Sequence, residues 1–165
     1  TWEYSAQFAL RPYLYLLLHS LVGAPVAAVV GEQGSKVCVF YAIRMALGAI
    51  SAACDTALVR ATAKKASPEA ASILLVLLMG STGTFLASTT LLPSTFSMYA
   101  VTFAASAILE ERWPAVIFAS IVGVVWGWAV VGIAVMPYAL AVLLCTPFAR
   151  SLSVAVVGLL VTLTP

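Results

Sequence analysis

Thr1, Trp2, Glu3, Tyr4 and Ser5 open the chain as a cluster of polar and aromatic side chains. An acid held between aromatics at a membrane surface can position a hydroxyl, or remove its proton if the carboxyl pKa is raised. The plainer use of a Trp and Tyr pair there is as an interface anchor. Arg11, Tyr15 and His19 follow at four-residue spacing, so one helical face presents a guanidinium, a phenol and an imidazole. Such a face can grip a lipid phosphate, or simply snorkel toward headgroups. No second acid, nucleophile elbow or glycine-rich phosphate loop accompanies these residues.

Further on, Tyr41, Arg44, Gly48, Ser51 and Asp55 alternate three- and four-residue steps and line one stripe of a helix. Charge at membrane depth is costly, so the stripe is expected to face other helices or a cavity, first as bundle contacts and second as a substrate-facing surface. Arg44 and Asp55 stand eleven residues apart, about 16 Å along a helix, and cannot pair directly. Small and hydroxylated residues crowd the segment from Gly80 to Ser97, which suits close helix approach. Its Ser88-to-Ser94 turn would emerge on the same side of the membrane as Trp2 and Glu3 and could contribute to the same pocket. Cys38, Cys54 and Cys145 lie in apolar runs without metal-ligand or redox spacing. They read as buried thiols, with no disulfide and no metal site.

The elements that must carry these groups follow from composition. Of 165 residues, 63% are hydrophobic and 8% charged, with mean hydropathy +1.10. Too few polar groups remain to cover a soluble surface. A net charge of +2 is far from a nucleic-acid-binding surface. The chain therefore reads as an all-α, polytopic transmembrane bundle embedded in a lipid bilayer.

About 20 apolar residues cross ~30 Å of hydrocarbon. By that ruler Val37–Val59 forms one span, Ala70–Ala87 a second, and Pro93–Leu109 a third with its proline in the first turn. The 36 residues from Pro114 to Ala149 are barely enough for two spans, which predicts a broken hairpin with its break around Trp126, Gly127, Trp128 and Gly132. Leu10, Leu14, Leu17, Leu18 and Leu21 share one helical face while Arg11, Tyr15 and His19 fall on another, as in an amphipathic helix lying in the interface. Residues 1–36 then form a loop and juxtamembrane helix, and residues 37–165 a bundle. With that helix on the surface, Arg60, Lys64, Lys65, Arg112 and Arg150 fall on one side, and Arg11 and Lys36 on the other. Five against two marks the first side as cytosolic. A crossing by residues 12–30 instead would move Thr1–Ser5 to the cytosol. The start at Thr1 and the stop at Pro165 read as the ends of an internal fragment.

Thr1-Trp2-Glu3-Tyr4-Ser5, then Ala9-Leu10-Arg11-Pro12-Tyr13-Leu14-Tyr15 and Leu18-His19, together resemble the glycosyltransferase family 22 mannosyltransferases. Val39-Phe40-Tyr41 through Arg44, and Leu92-Pro93-Ser94-Thr95-Phe96-Ser97-Met98-Tyr99, favour the branch that extends the dolichol-linked oligosaccharide in α-1,2 linkage. Pro12 and Ala129 depart from that pattern, which commonly has Ser and Pro there. The Trp-Glu pair is shared with the glycosylphosphatidylinositol-anchor mannosyltransferases, which stand as the alternative.

The resemblance implies a GT-C fold in the endoplasmic reticulum membrane, with a luminal juxtamembrane helix and a luminal active site. Its implied donor is dolichyl-phosphate mannose and its acceptor a dolichyl-diphosphate oligosaccharide, without metal or cofactor. It places the principal base, usually an aspartate, upstream of the opening string. Glu3 is left as a supporting or acceptor-positioning acid, with Trp2, Tyr4, Arg11, Tyr15 and His19 as candidate substrate-binding residues. Residues alone leave two other classes open: a transporter-like bundle, suggested by the polar stripe and the broken hairpin, and a structural membrane subunit.

Overall fold

The computed structural model describes residues 14–31 and 36–163, with side chains from Leu16 onward. All regular structure among these residues is helical. Helix α1 covers Leu14–Val30, α2 Lys36–Lys65, α3 Pro68–Gly80, α4 Thr82–Ala87, α5 Pro93–Leu109, α6 Trp113–Val122, α7 Val131–Cys145 and α8 Phe148–Leu163. A π-helical turn, Gly123–Gly127, extends α6. Among the described residues only α2 is long and apolar enough to cross a membrane by length and composition, and the shorter apolar helices have 10–17 residues.

Sequence signals set most of the boundaries. Ser67 caps α3 by accepting from the Ala70 N–H, and Pro68 sits where its missing donor costs nothing. Pro93 begins α5 in the same way, and Glu110 ends it, followed by Glu111 at φ 58°. Two expected boundaries move. Helix α1 runs through Pro25 to Val30 and stops at Gly31, whose φ of 75° suits a residue without Cβ. The Ala70–Ala87 span divides at Ser81, which leaves the helical conformation (φ −78°, ψ 101°) and caps α4 through the Thr84 N–H. Gly80 and a hydroxyl able to cap make that break cheap.

Helix α5 is the centre of the bundle, packed against α2, α6, the π-turn and α7. Pro93, Thr95, Ser97, Tyr99, Ala100 and Ala104 are buried along it, mostly small or hydroxylated residues that let neighbouring backbones come close. The outside is apolar: Leu21, Met45, Met79, Leu144 and Leu160 are all more than half exposed, as a lipid-facing surface requires. Cys38 and Cys145 are exposed on this surface and Cys54 is half-buried, so the expectation of buried thiols is corrected. In a chain of this hydropathy an apolar thiol need not be inside.

The broken hairpin stands where the sequence places it. Trp128 is extended (φ −130°, ψ 131°) between the π-turn and α7. Its N–H reaches the Ser97 Oγ at 3.0 Å, and that hydroxyl donates to the Gly123 carbonyl at 3.0 Å. Backbone released by the break is thus held by α5, as apolar surroundings demand.

Charges gather at one end of the bundle. Lys64 lies 3.6 Å from Glu110 and Lys65 2.9 Å from Glu111, tying the end of α2 to the α5–α6 turn. Glu111 and Arg150 line one 230 Å³ cavity there. The Lys65 hydrogen bond, then its charge, holds the Glu111 carboxyl below the usual range. Its own backbone hydrogen bond, then the Ser67 hydroxyl, does the same for Glu69. A depressed folded pKa stabilises fully above the ordinary carboxylate range and is lost as pH falls through the folded value. Lys65→Met should move the Glu111 titration upward toward that range in carboxylate NMR, and an unmoved titration would acquit Lys65.

Candidate substrate-binding corner

At the opposite end from the charges, three elements meet around the α4–α5 turn. Arg44 of α2 donates from Nη2 to the Thr89 Oγ1 at 2.8 Å, and its guanidinium lies 5.4 Å from the Phe40 ring centroid. Phe40 and Arg44 are one helical turn apart, so this stacking is local to α2. Gly48, one turn further on, gives Thr89 room, since a Cβ there would come within 3.3 Å of the Thr89 Cγ2. The turn is knotted by its own hydroxyls. Thr90 and Thr95 share a 2.5 Å hydrogen bond, Thr95 donates to the Ala87 carbonyl at 3.1 Å, and the buried Tyr99 donates to the Ser88 carbonyl at 2.5 Å.

Helix α1 closes the corner. The His19 ring sits 5.7 Å from that of Phe96, which in turn lies 5.8 Å from Tyr99. One turn beyond His19, Gly23 approaches Val39 and Ile43 of α2. The leucine face points outward, with Leu17 53% and Leu21 74% exposed. His19 is therefore on the side of α1 that meets the bundle.

Below the corner a cleft of about 470 Å³ opens between α2 and the α3–α4 segment. Gly48, Ser51, Asp55, Thr84, Phe85 and Ser88 are among its walls. The expected polar stripe thus faces neighbours and a cavity, except for Tyr41, which is 58% exposed and packs edge-on against Phe40. Tyr41 sits at the outer edge of the stripe, where a phenol is tolerated in a lipid-facing position.

Of the residues proposed from sequence, Trp2, Glu3, Tyr4 and Arg11 lie outside the described residues. Tyr15 belongs to the first turn of α1, one turn before His19. His19 reaches the corner. The Phe40–Arg44 stacking was missed although its four-residue spacing could have announced it, whereas Thr89 lies 45 residues from Arg44 and no local pattern announces that contact. Tyr99→Phe should cost about 1 kcal/mol, the net value of one hydrogen bond. Thermal unfolding of the full protein in detergent would show it, and an unchanged midpoint would mean that the phenol does not hold the turn.

The described residues thus form an all-helical bundle with an apolar exterior that carries a cation, an imidazole and a knot of hydroxyls at one end. The chain matches the Alg9-like mannosyltransferase family over residues 1–164. It is 44% identical over 137 residues to the α-1,2-mannosyltransferase ALG9 of Arabidopsis thaliana, covering 83% of this chain and 24% of that protein. Identity is 35% over 128 residues to ALG9 of Mus musculus, covering 78% and 21%, and 38% over 132 residues to alg9 of Schizosaccharomyces pombe, covering 78% and 22%. The chain spans less than a quarter of the length of these relatives. No solved structure matches it. The chain belongs to the Alg9-like mannosyltransferase family, a family of glycosyltransferases.

Proposed function

We propose that this chain is part of an enzyme that moves mannose from dolichyl-phosphate mannose to a dolichyl-diphosphate oligosaccharide in α-1,2 linkage, on the luminal side of the endoplasmic reticulum membrane. The match along residues 1–164 to a mannosyltransferase family carries this reading. Clustering of Arg60, Lys64, Lys65, Arg112 and Arg150 toward one end supports a cytosolic placement of that end. The corner at the other end is then luminal, with α1 packed along α2.

In the reaction an acceptor hydroxyl attacks the anomeric carbon of mannose, the bond from that carbon to the phosphate oxygen breaks, and dolichyl phosphate departs. A base must take the hydroxyl proton, and cationic or hydrogen-bonding groups must receive the charge on the leaving phosphate. Glu3 fits the positioning of the acceptor hydroxyl, with Trp2 and Tyr4 as an aromatic wall. Arg11 offers a forked donor set matched to phosphate, beside Tyr15 and His19.

In microsomes carrying the full protein, Glu3→Gln and Arg11→Ala should each lower mannose transfer about tenfold while membrane insertion stays intact. Undiminished transfer in both variants would remove these roles.

A further inference from the structure

Arg44 carries its charge at a half-buried position, and no carboxylate among the described residues pairs with it. Asp55 lies eleven residues further along α2, about 16 Å away. A guanidinium has five N–H donors, yet the described partner of Arg44 is one neutral hydroxyl, with an aromatic face beneath. Such a group is held in place without being neutralised.

Its depth is informative. Helix α2 has 30 residues and is about 45 Å long, against ~30 Å of hydrocarbon. If the hydrocarbon begins where Val59 meets Arg60, Arg44 stands about 22 Å higher. Its side chain then reaches to the far headgroup boundary, where a lipid phosphate lies. The cleft beneath reinforces this. Gly48 and Ser88, neighbours of Arg44 and Thr89, line it nearest the corner, Leu75, Leu78, Met79 and Phe85 give it an apolar wall on the α3–α4 side, and Asp55 and Arg60 of α2 lie further down. A cation above an apolar groove is complementary to a phosphate with a hydrocarbon chain.

We propose that Arg44, stacked on Phe40 and oriented by Thr89, binds the phosphate of one of the two lipid-linked substrates, with the first isoprene units lying in the α2–α3/α4 cleft. This rests on the mannosyltransferase reading above and adds a binding group to it. The paired donors of the guanidinium fit two phosphate oxygens, and the hydroxyls of the α4–α5 turn lie within the same corner.

The test uses the full-length purified protein in vesicles of neutral phosphatidylcholine, comparing wild type with Arg44→Gln, Arg44→Lys and Ala52→Phe, the last filling the cleft wall. Arg44→Gln should raise KM for one lipid substrate tenfold or more, leave the other within twofold, and abolish the protection against thermal unfolding given by dolichyl phosphate or dolichyl diphosphate. Whichever KM moves identifies the source of the phosphate. Arg44→Lys should fall between, and Ala52→Phe should raise the same KM for long-chain substrate but not for a short-chain analogue. Folded Arg44 variants with both KM values within twofold of wild type and with protection retained would overturn the assignment, as would a fall in kcat alone. If Arg44→Gln does not fold, Arg44→Lys and Ala52→Phe decide by the same criteria. A wild-type protein that is protected by the lipid phosphate but transfers no mannose would sink the enzymatic reading and leave the binding site standing.

Discussion

Gly127→Ala is expected to destabilise the full protein by about 3 kcal/mol or more, the upper end of overpacking costs. A Cβ at Gly127 would overlap the Ser97 Oγ and come within 3.0 Å of the Ser97 Cβ and 3.1 Å of its backbone nitrogen. Two of those three neighbours are rigid parts of α5, so no rotamer change relieves the contact. Heat challenge in detergent followed by size-exclusion chromatography would measure the loss. Gly132→Ala is the internal control, because nothing lies within 4 Å of a Cβ there and alanine favours helix. Equal behaviour of the two variants would show that the π-turn does not pack as closely as described.

Ser97→Ala should be nearly as damaging for a different reason. Its hydroxyl accepts from the Trp128 N–H and donates to the Gly123 carbonyl, residues 31 and 26 positions away. Removing it orphans two backbone groups in apolar surroundings, at about 1–3 kcal/mol each. The consequence extends to the corner, because Ser97 is flanked on α5 by Phe96, which carries the His19 contact, and lies two residues from Thr95, which knots the turn. Transfer activity of the surviving folded fraction is therefore expected to fall several-fold as well. Combining Gly127→Ala with Ser97→Gly should recover part of the steric loss, since the two sites share one contact and their effects cannot add. A strictly additive double variant would refute the shared joint.

Both variants probe a feature whose position was readable and whose mechanism was not. Thirty-six apolar residues exceed one span and barely fill two, so a break near Trp126 to Gly132 follows from arithmetic. That Ser97 would satisfy the released backbone does not, because one serine among many on α5 carries no mark of its partner. The division at Ser81 was missed for a related reason: hydropathy alone continues through it, and only the cap geometry distinguishes two helices from one. Helix α1 passing through Pro25 shows tertiary packing overriding a local breaker, with Gly23 pressed against Val39 and Ile43.

The sequence by itself determined the helical class, the membrane-type exterior, the start of α2, both ends of α5 and the family resemblance in the opening string. These depend on composition and on patterns within one element, which need no knowledge of neighbours. Tertiary structure alone decided that Arg44 meets Thr89, that His19 meets Phe96, and that the polar stripe of α2 opens on a cleft. Those contacts join elements tens of residues apart, and their energy exists only once packing has brought the helices side by side.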